Sequence, residues 1–442
     1  ICPLRNNLVL VCAINPTLSI YCFWNTGCPY KFLSTETSYD SVRGDMRDSA
    51  VNLKGCGLVS MWGIYRHGKL KPSVATSAQM KDALQIRNLI SESYKKHHSS
   101  ICAQDVENLL NWNMDNKFLD GKQDLTEEGM REMVGLGNRL KEAFPLLSDI
   151  RDGDYTFRPA KGPWIEESIK YFVKAFKQKK LDQNRSTRLD ATMPQTDRQT
   201  DRHVKLITPL FLIKDRIQRR TGIEFNLSDA NVSALYDLCR YTWTNKASPW
   251  CALFTTEDLQ VLEYIEDLKL YYTNGYGVKS NEKVGRIPLA DLYNAFKHAK
   301  EGKGKKIVVY VTNDATIDQI FTALGLFKDA SPLTAAARSR DRKWRTSYIS
   351  VFSANLVAVL NRCNKGPKEE YNVVFYFNEE PIATICEEGV CSWQEFENKL
   401  GSFTTNITEA CAFKRSLRSL LWYFYRNSQF CSHLTKITSR LI

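Results

Sequence analysis

The apolar positions of this chain gather into a few short unbroken runs, set between long stretches whose apolar residues recur at helical spacing. The first clear run, residues 58–66, has a β-branched and aromatic bias and is predicted as a buried strand. After a loop, residues 74–98 read as helical. Leu125-Thr126-Glu127-Glu128-Gly129 opens a further helix, with Thr126 as its cap and Met130, Met133, Val134, Leu136 and Leu140 at helical spacing. The pattern stays mostly helical to about residue 300, except from Lys177 to Arg202, where the tandem repeat TDRQTDR has no apolar face and is predicted as a solvated loop. Ile307-Val-Val-Tyr-Val311 is a second buried strand, running into Thr312-Asn313-Asp314 and then a helix that ends near Gly325. Val373-Val-Phe-Tyr-Phe377 is a third.

Strands towards both ends with helices between them imply one α/β sheet flanked by helices and interrupted by a helical insertion. On this division residues 25–120 and 300–400 form the α/β domain and residues 121–299 a mostly helical insertion. Residues 401–442 are a basic, aromatic tail carrying Leu421-Trp-Tyr-Phe-Tyr425, which reads as a docked helix or as a surface for membrane or partner contact. Residues 1–24 contain the apolar run Leu8-Val-Leu-Val-Cys-Ala-Ile14, which reads equally as the remnant of a secretory signal or as a buried first element.

Composition narrows the function classes. At 442 residues and 43% apolar content the chain can bury a large core, as one domain with an insertion or as two domains. A net charge of +12 favours anionic partners, but the basic residues are scattered rather than massed beside aromatic motifs, which argues against nucleic acid. The 13 cysteines form no CxxC pair and no zinc-type Cys/His grouping, so no metal is expected and structural disulfides are. Cys22 to Cys28, Cys239 to Cys251 and Cys386 to Cys391 have spacings that suit local bridges. Acceptor sequons at Asn184, Asn226, Asn231 and Asn406 agree with a secretory route and a glycoprotein.

The chemistry concentrates at the end of the first strand, Met61-Trp-Gly-Ile-Tyr-Arg66-His67-Gly68-Lys69-Leu70-Lys71-Pro72. A buried strand that delivers a histidine to a glycine turn at its C-terminal end presents that side chain to a ligand crevice. Several further segments occur in order with this turn: Thr37-Ser-Tyr39, the LTEEG helix start, Tyr236-Asp-Leu-Cys-Arg240, Ser248-Pro-Trp-Cys-Ala252, Glu266-Asp-Leu-Lys269 through Gly275-Tyr-Gly277, and Leu324 to Asp329 with Pro332-Leu-Thr334. Together they resemble the animal multiple inositol polyphosphate phosphatase branch of the histidine acid phosphatases. The resemblance implies an α/β domain with a helical domain inserted in it, no cofactor, and phosphorylated small anions such as inositol phosphates as ligands. It also implies a two-step hydrolysis, in which the histidine takes the phosphoryl group while a carboxylic acid protonates the leaving alcohol.

On this resemblance His67 is the nucleophile, Asp314 the acid, and Arg66 and Arg158 retained phosphate contacts. Lys69 and Lys71 flank a lost clamp, where they would act as point charges without a guanidinium fork. Four positions depart from the pattern. Leu70 and Trp164 stand where clamp arginines fall, Asn313 replaces the distal histidine, and Ala315 replaces the donor glutamate of this branch, although Asp314 falls where the HD relatives keep their acid. Asp314 also suits the N-cap of the helix that begins near Ala315. Lys269, Tyr276 and the basic stretch from Arg338 to Arg345 are further candidates for the pocket wall, or else solvated surface. Losing one preorganised donor costs about 10²- to 10³-fold in rate; three losses would, if they added, erase most of an enzyme's advantage, although losses within one site rarely add in full, and the remaining charge still serves binding. The expectation is a secreted phosphatase-fold protein with impaired catalysis; the alternative is an active phosphomonoesterase working through His67.

Overall fold

The computed structural model describes residues 29–115, 117–176, 181, 207–244, 246–365 and 368–403. The apolar run at Leu8, the Cys22–Cys28 spacing, the TDRQTDR repeat, the sequons at Asn184 and Asn406 and the aromatic tail lie outside the described residues.

Among the described residues seven strands form one mixed sheet: β1 (Cys56–Arg66), β2 (Tyr155–Pro159), β3 (Ile307–Thr312), β4 (Asn355–Lys365), β5 (Lys368–Phe377), β6 (Glu380–Pro381) and β7 (Val390–Ser392). Their order is β2-β3-β1-β4-β5-β6, with β7 also on β5. β2, β3 and β1 run parallel, and β4 and β5 continue the sheet antiparallel. The runs at 58–66, 307–311 and 373–377 are thus strands, each longer than its apolar core. The sheet is covered on both faces, which is why β1 and β3 are apolar at nearly every position. Trp62, Ile64, Val308 and Tyr310 enter one core and Met61, Tyr65, Ile307, Val309 and Val311 the other.

The α-helices are α1 (Met46–Ser49), α2 (Val74–Ala83), α3 (Ile86–Lys95), α4 (Ala103–Asn111), α5 (Glu127–Ala143), α6 (Pro163–Val173), α7 (Ile207–Thr221), α8 (Asp229–Tyr241), α9 (Thr256–Thr273), α10 (Lys279–Lys300), α11 (Asp314–Leu324), α12 (Thr346–Ile349) and α13 (Trp393–Leu400). The single helix expected over 74–98 is two, broken at Leu84-Gln85. Thr126 caps α5 by accepting from Gly129 N at 3.1 Å. Gly325 ends α11 with φ 72°, a left-handed position that glycine occupies without steric cost.

Packing does not follow the division drawn at residue 120. Helices α2 to α4 share a core with α8 and the start of α9, through Met80, Ile90, Leu109, Leu235, Leu238 and Leu259. Conversely α5 and α6 close one face of the sheet, with Met133, Leu136, Ile165 and Ile169 against Met61 and Val309. The sequence pattern missed this because β2, five residues long and carrying an arginine and a proline, is too short and too mixed to announce a strand.

Two of the expected local bridges are present, Cys239–Cys251 and Cys386–Cys391. A third, Cys56–Cys363, joins directly paired positions of β1 and β4 across 307 residues of chain, a pairing that spacing does not suggest. The double variant C56A/C363A should lose about 2–5 kcal/mol of unfolding free energy, the usual loss when a native bridge goes. Denaturant titration under non-reducing conditions measures it, and an unchanged midpoint would show that β1 and β4 need no cross-link.

Candidate active site

The candidate site is built where β1 and β3 end side by side. His67 N donates to Thr312 O at 3.0 Å, so the Arg66–His67 turn and the start of α11 are neighbours, outside the C-terminal ends of two parallel strands. Gly68 then passes so close to α5 that a Cβ on it would lie 2.5 Å from Gly129 O, and a Cβ on Gly129 would lie 2.5 Å from Lys69 N. The glycine of the turn and the glycine of LTEEG are therefore required together.

Arg66, 6% exposed, anchors the floor. Its Nη1 donates to Thr35 O at 3.1 Å and to Ser350 O at 2.6 Å, its guanidinium lies 4.1 Å from the Phe352 ring centroid, and its Nη2 is 4.0 Å from Asp314 Oδ2. His67 is 5% exposed, and its Nδ1 donates to Gly68 O at 2.9 Å, which puts the proton on Nδ1 and leaves the Nε2 lone pair free. Burial, and then the Arg66 charge, pull its pKa down to about 3, so the imidazole is neutral. Asp314 opens α11 and accepts from Ala315 N at 2.8 Å. The cap position belongs instead to Asn313, which makes no side-chain cap bond.

The other expected contacts are arranged differently. Lys69 is buried, but its Nζ donates to Glu128 at 2.8 Å and to Trp243 O, because leaving a buried ammonium unpaired would be costly. Lys71 lies 3.6 Å from Asp120 and 3.8 Å from Asp124. Neither lysine stands as an unpaired point charge beside His67. Arg158 stacks 5.9 Å over Tyr310 and is level with Ile64 in the sheet, three residues short of His67. Leu70 and Trp164 pack with Leu125, Phe352, Met130 and Tyr171 in a small apolar cluster, with Phe352 5.6 Å and Trp164 6.5 Å from the His67 ring. Leu70 and Trp164 thus occupy one wall, and that wall is mostly apolar.

The basic stretch and Tyr276 are framework. Arg342, buried, pairs with Glu263 and Asp267; Arg345 pairs with Glu263 and Arg338 with Glu257. Tyr276 donates to Leu326 O. Among the described residues Cys386, Cys391 and Glu395 approach within ligand distance of one another, but the two sulfurs are joined in a disulfide.

Three carboxyl groups that sequence reasoning passed over lie around the turn. Asp318, one helical turn after Asp314, accepts from Ser350 Oγ and from Asn274 Nδ2 at 3.3 Å; burial and the Asp314 charge push it up to about 8. Glu132 accepts from Lys69 N at 3.1 Å and Ser353 Oγ at 2.8 Å, and burial with the neighbouring Glu128 raises it to about 7. Glu36, 4% exposed, sits on the turn that supplies Thr35 O, and burial raises its pKa against the opposing charges of Arg240, Arg66 and Lys69. The only sequence signal for any of them was the i, i+4 spacing of Asp314 and Asp318.

Residues 174–378 match the histidine phosphatase superfamily, branch 2. The chain carries a histidine phosphatase domain of that branch. The matched stretch includes β3 and α11, and the Arg66–His67 turn precedes it. A Drosophila melanogaster protein named multiple inositol polyphosphate phosphatase 1 is 26% identical over 400 residues, covering 83% of this chain and 84% of the relative. Its namesake from Gallus gallus is 40% identical over 147 residues, 31% and 33% of the two chains. Of solved structures, a phytase from D. castellii superposes with TM-score 0.67 at 17% identity over 91% of this chain and 92% of that one. A Bifidobacterium longum multiple inositol polyphosphate phosphatase, solved in complex with inositol hexasulfate, gives TM-score 0.56 at 13% identity over 80% and 92%. The mixed sheet flanked by helices is thus the histidine acid phosphatase fold.

The buried acids bear on how stability depends on pH. A carboxyl whose folded pKa exceeds its unfolded value favours the folded state only while protonated, so Asp318 costs stability increasingly as pH rises from about 4 through about 8. Asp318→Asn should therefore leave the melting temperature unchanged near pH 4, raise it progressively up to about pH 8, and add little beyond that. Melting curves across that range check it; a constant difference would mean that Asp318 is ionised throughout.

Proposed function

We propose that this chain binds phosphorylated small anions of the inositol phosphate class at the Arg66–His67 crevice, with phosphoryl transfer severely impaired, in a secretory-pathway setting. The observation that carries the reading is the apolar cluster of Leu70, Trp164 and Phe352 beside the His67 ring. Charge that develops on the equatorial phosphoryl oxygens would meet hydrocarbon on that side, where a guanidinium fork should pair with two of them. Arg66 remains as the fixed cation, and a cation fixed in place serves the ground state as well as the transition state. The disulfides, the exposed Asn226 and the Asn231 sequon support the secretory setting, although Asn231 Oδ1 also accepts from Ser228 N and Oγ at the cap of α8. In this reading His67 orients the ligand more than it reacts.

Purified protein, given inositol hexakisphosphate and an aryl phosphate at acid and neutral pH, should release no more phosphate than His67→Ala does. Release that depends on His67 overturns the impairment.

One observation favours the active alternative: the Nδ1–H tautomer leaves Nε2 of a neutral imidazole as a nucleophile. In that scheme Nε2 forms the N–P bond as the P–O ester bond breaks, Asp314 gives its proton to the leaving alkoxide, and water then cleaves the N–P bond. The scheme requires a phosphoramidate that survives rapid alkaline denaturation. Its absence after mixing with the aryl phosphate removes the scheme.

A further inference from the structure

His67, Gly68 and Lys69 are all buried, and every peptide group of the three has a partner. His67 N donates to Thr312 O on β3 and His67 O accepts from Ser353 N, both at 3.0 Å. Gly68 N donates to Ser168 Oγ on α6 at 3.2 Å, and Gly68 O accepts from the His67 ring. Lys69 N donates to Glu132 Oε2 on α5 at 3.1 Å, and Lys69 O accepts from Thr126 N and Thr126 Oγ1, each at 2.9 Å. Three consecutive residues thereby tie the chain to β3, α5, α6 and the segment before β4.

Apart from the His67 ring itself, Glu132 is the one titratable side chain among these partners, and it acts on both sides of Gly68. Its Oε2 accepts from Lys69 N after the glycine and also from Ser353 Oγ at 2.8 Å, while Ser353 N holds His67 O before it. Ser353 is fully buried with φ 63°, a left-handed conformation that a residue other than glycine keeps only when its surroundings impose it. Its bonds to Glu132 and His67 do so. One carboxylate oxygen therefore closes a ring of hydrogen bonds around the residue that carries the imidazole.

We propose that Glu132 is a positioning residue for His67, its carboxylate setting the pose of the turn through Ser353 and Lys69 and so the direction in which the imidazole points. The ring follows the turn because Nδ1 donates to Gly68 O, so a shift of the Gly68 peptide reorients Nε2. That role is independent of whether the site binds phosphate or transfers it. A charged carboxylate is also the stronger acceptor. The charged groups that face Glu132 are Glu128, a like charge on α5, and Lys69, whose ammonium Glu128 holds; the segment before β4 offers the uncharged Ser353. Burial and Glu128 bring the Glu132 carboxyl up to about 7, so the turn is held more loosely below neutrality and more tightly above it.

NMR of the full chain with isotope-labelled histidine, from about pH 5 to pH 9, reads the imidazole directly, the His67 signal being the one lost in His67→Asn. His67 itself titrates far lower, near 3, so its signal reports its surroundings across this range. In wild type the signal should shift with a midpoint near pH 7. Glu132→Gln, which keeps a neutral acceptor of the same shape, should hold it near the acid position at every pH, and Ser353→Ala should shrink the shift. His97, His98 and His298, exposed on other parts of the molecule, should give the same signals in all of these proteins. Asp318→Asn removes the other nearby carboxyl that titrates in this range and should leave the shift in place. A His67 signal that coincides in wild type and Glu132→Gln at every pH overturns the role, as does a shift that disappears in Asp318→Asn. Should Glu132→Gln fail to fold, Ser353→Ala decides, and a shift as large as that of wild type overturns the role. No ligand is added, so none of these results bears on phosphate binding.

Discussion

One guanidinium, held out of water, organises the candidate site. Arg66 is fixed by two carbonyl oxygens from segments far apart in sequence, Thr35 and Ser350, and by the face of Phe352. A buried charge is tolerated only when its donors are used and a counter-charge is near, so each partner brings others with it. Ser350 donates to Asp318, Asp318 is repelled by Asp314, and Asp314 is the acid 4.0 Å from Arg66. The N-terminal turn, the end of β1, the start of α11 and the segment before β4 are thereby tied to one cation. Their positions are consequences of the same desolvation cost.

The wall opposite is governed by a different term. A guanidinium at position 70 or 164 would need carboxylates or carbonyls that the neighbouring Leu125, Met130 and Tyr171 do not offer. Leucine and tryptophan there gain apolar contact at no desolvation cost, and the tryptophan keeps one neutral N–H. Both side chains share a cluster with Phe352, whose ring lies 5.6 Å from that of His67. His67 is still fixed, through Thr312 O on one side and Ser353 N on the other.

How much of this was legible follows from the range of the forces involved. Apolar runs announced β1 and β3, because a strand covered on both faces must be apolar at most positions, and the resemblance paired Arg66 and His67 with Asp314 across nearly 250 residues. Thr126 was readable as a cap because capping is local. Lys69 and Lys71 were not readable as paired, since Glu128 lies 59 residues from Lys69 and only the Gly68–Gly129 approach brings it there. Glu36, Glu132 and Asp318 look like ordinary surface carboxylates in a sequence; folding alone surrounds them. β2 escaped because five mixed residues carry too little periodicity, and with it went the correct allocation of α5 and α6.

Net charge illustrates the same gap between sequence and site. A chain at +12 invites the expectation of a polyanion pocket, yet what a ligand meets is the local balance after internal pairing. Lys69 faces Glu128, Lys71 faces Asp120 and Asp124, and Arg240 faces Asp237 and Glu266. Each pair supplies a dipole, whose attraction for an anion falls off faster with distance than that of a free charge. Arg66 is the exception in kind, because its closest contacts are neutral carbonyls and its acid stands 4.0 Å away. Its charge is therefore less offset by internal pairing than theirs.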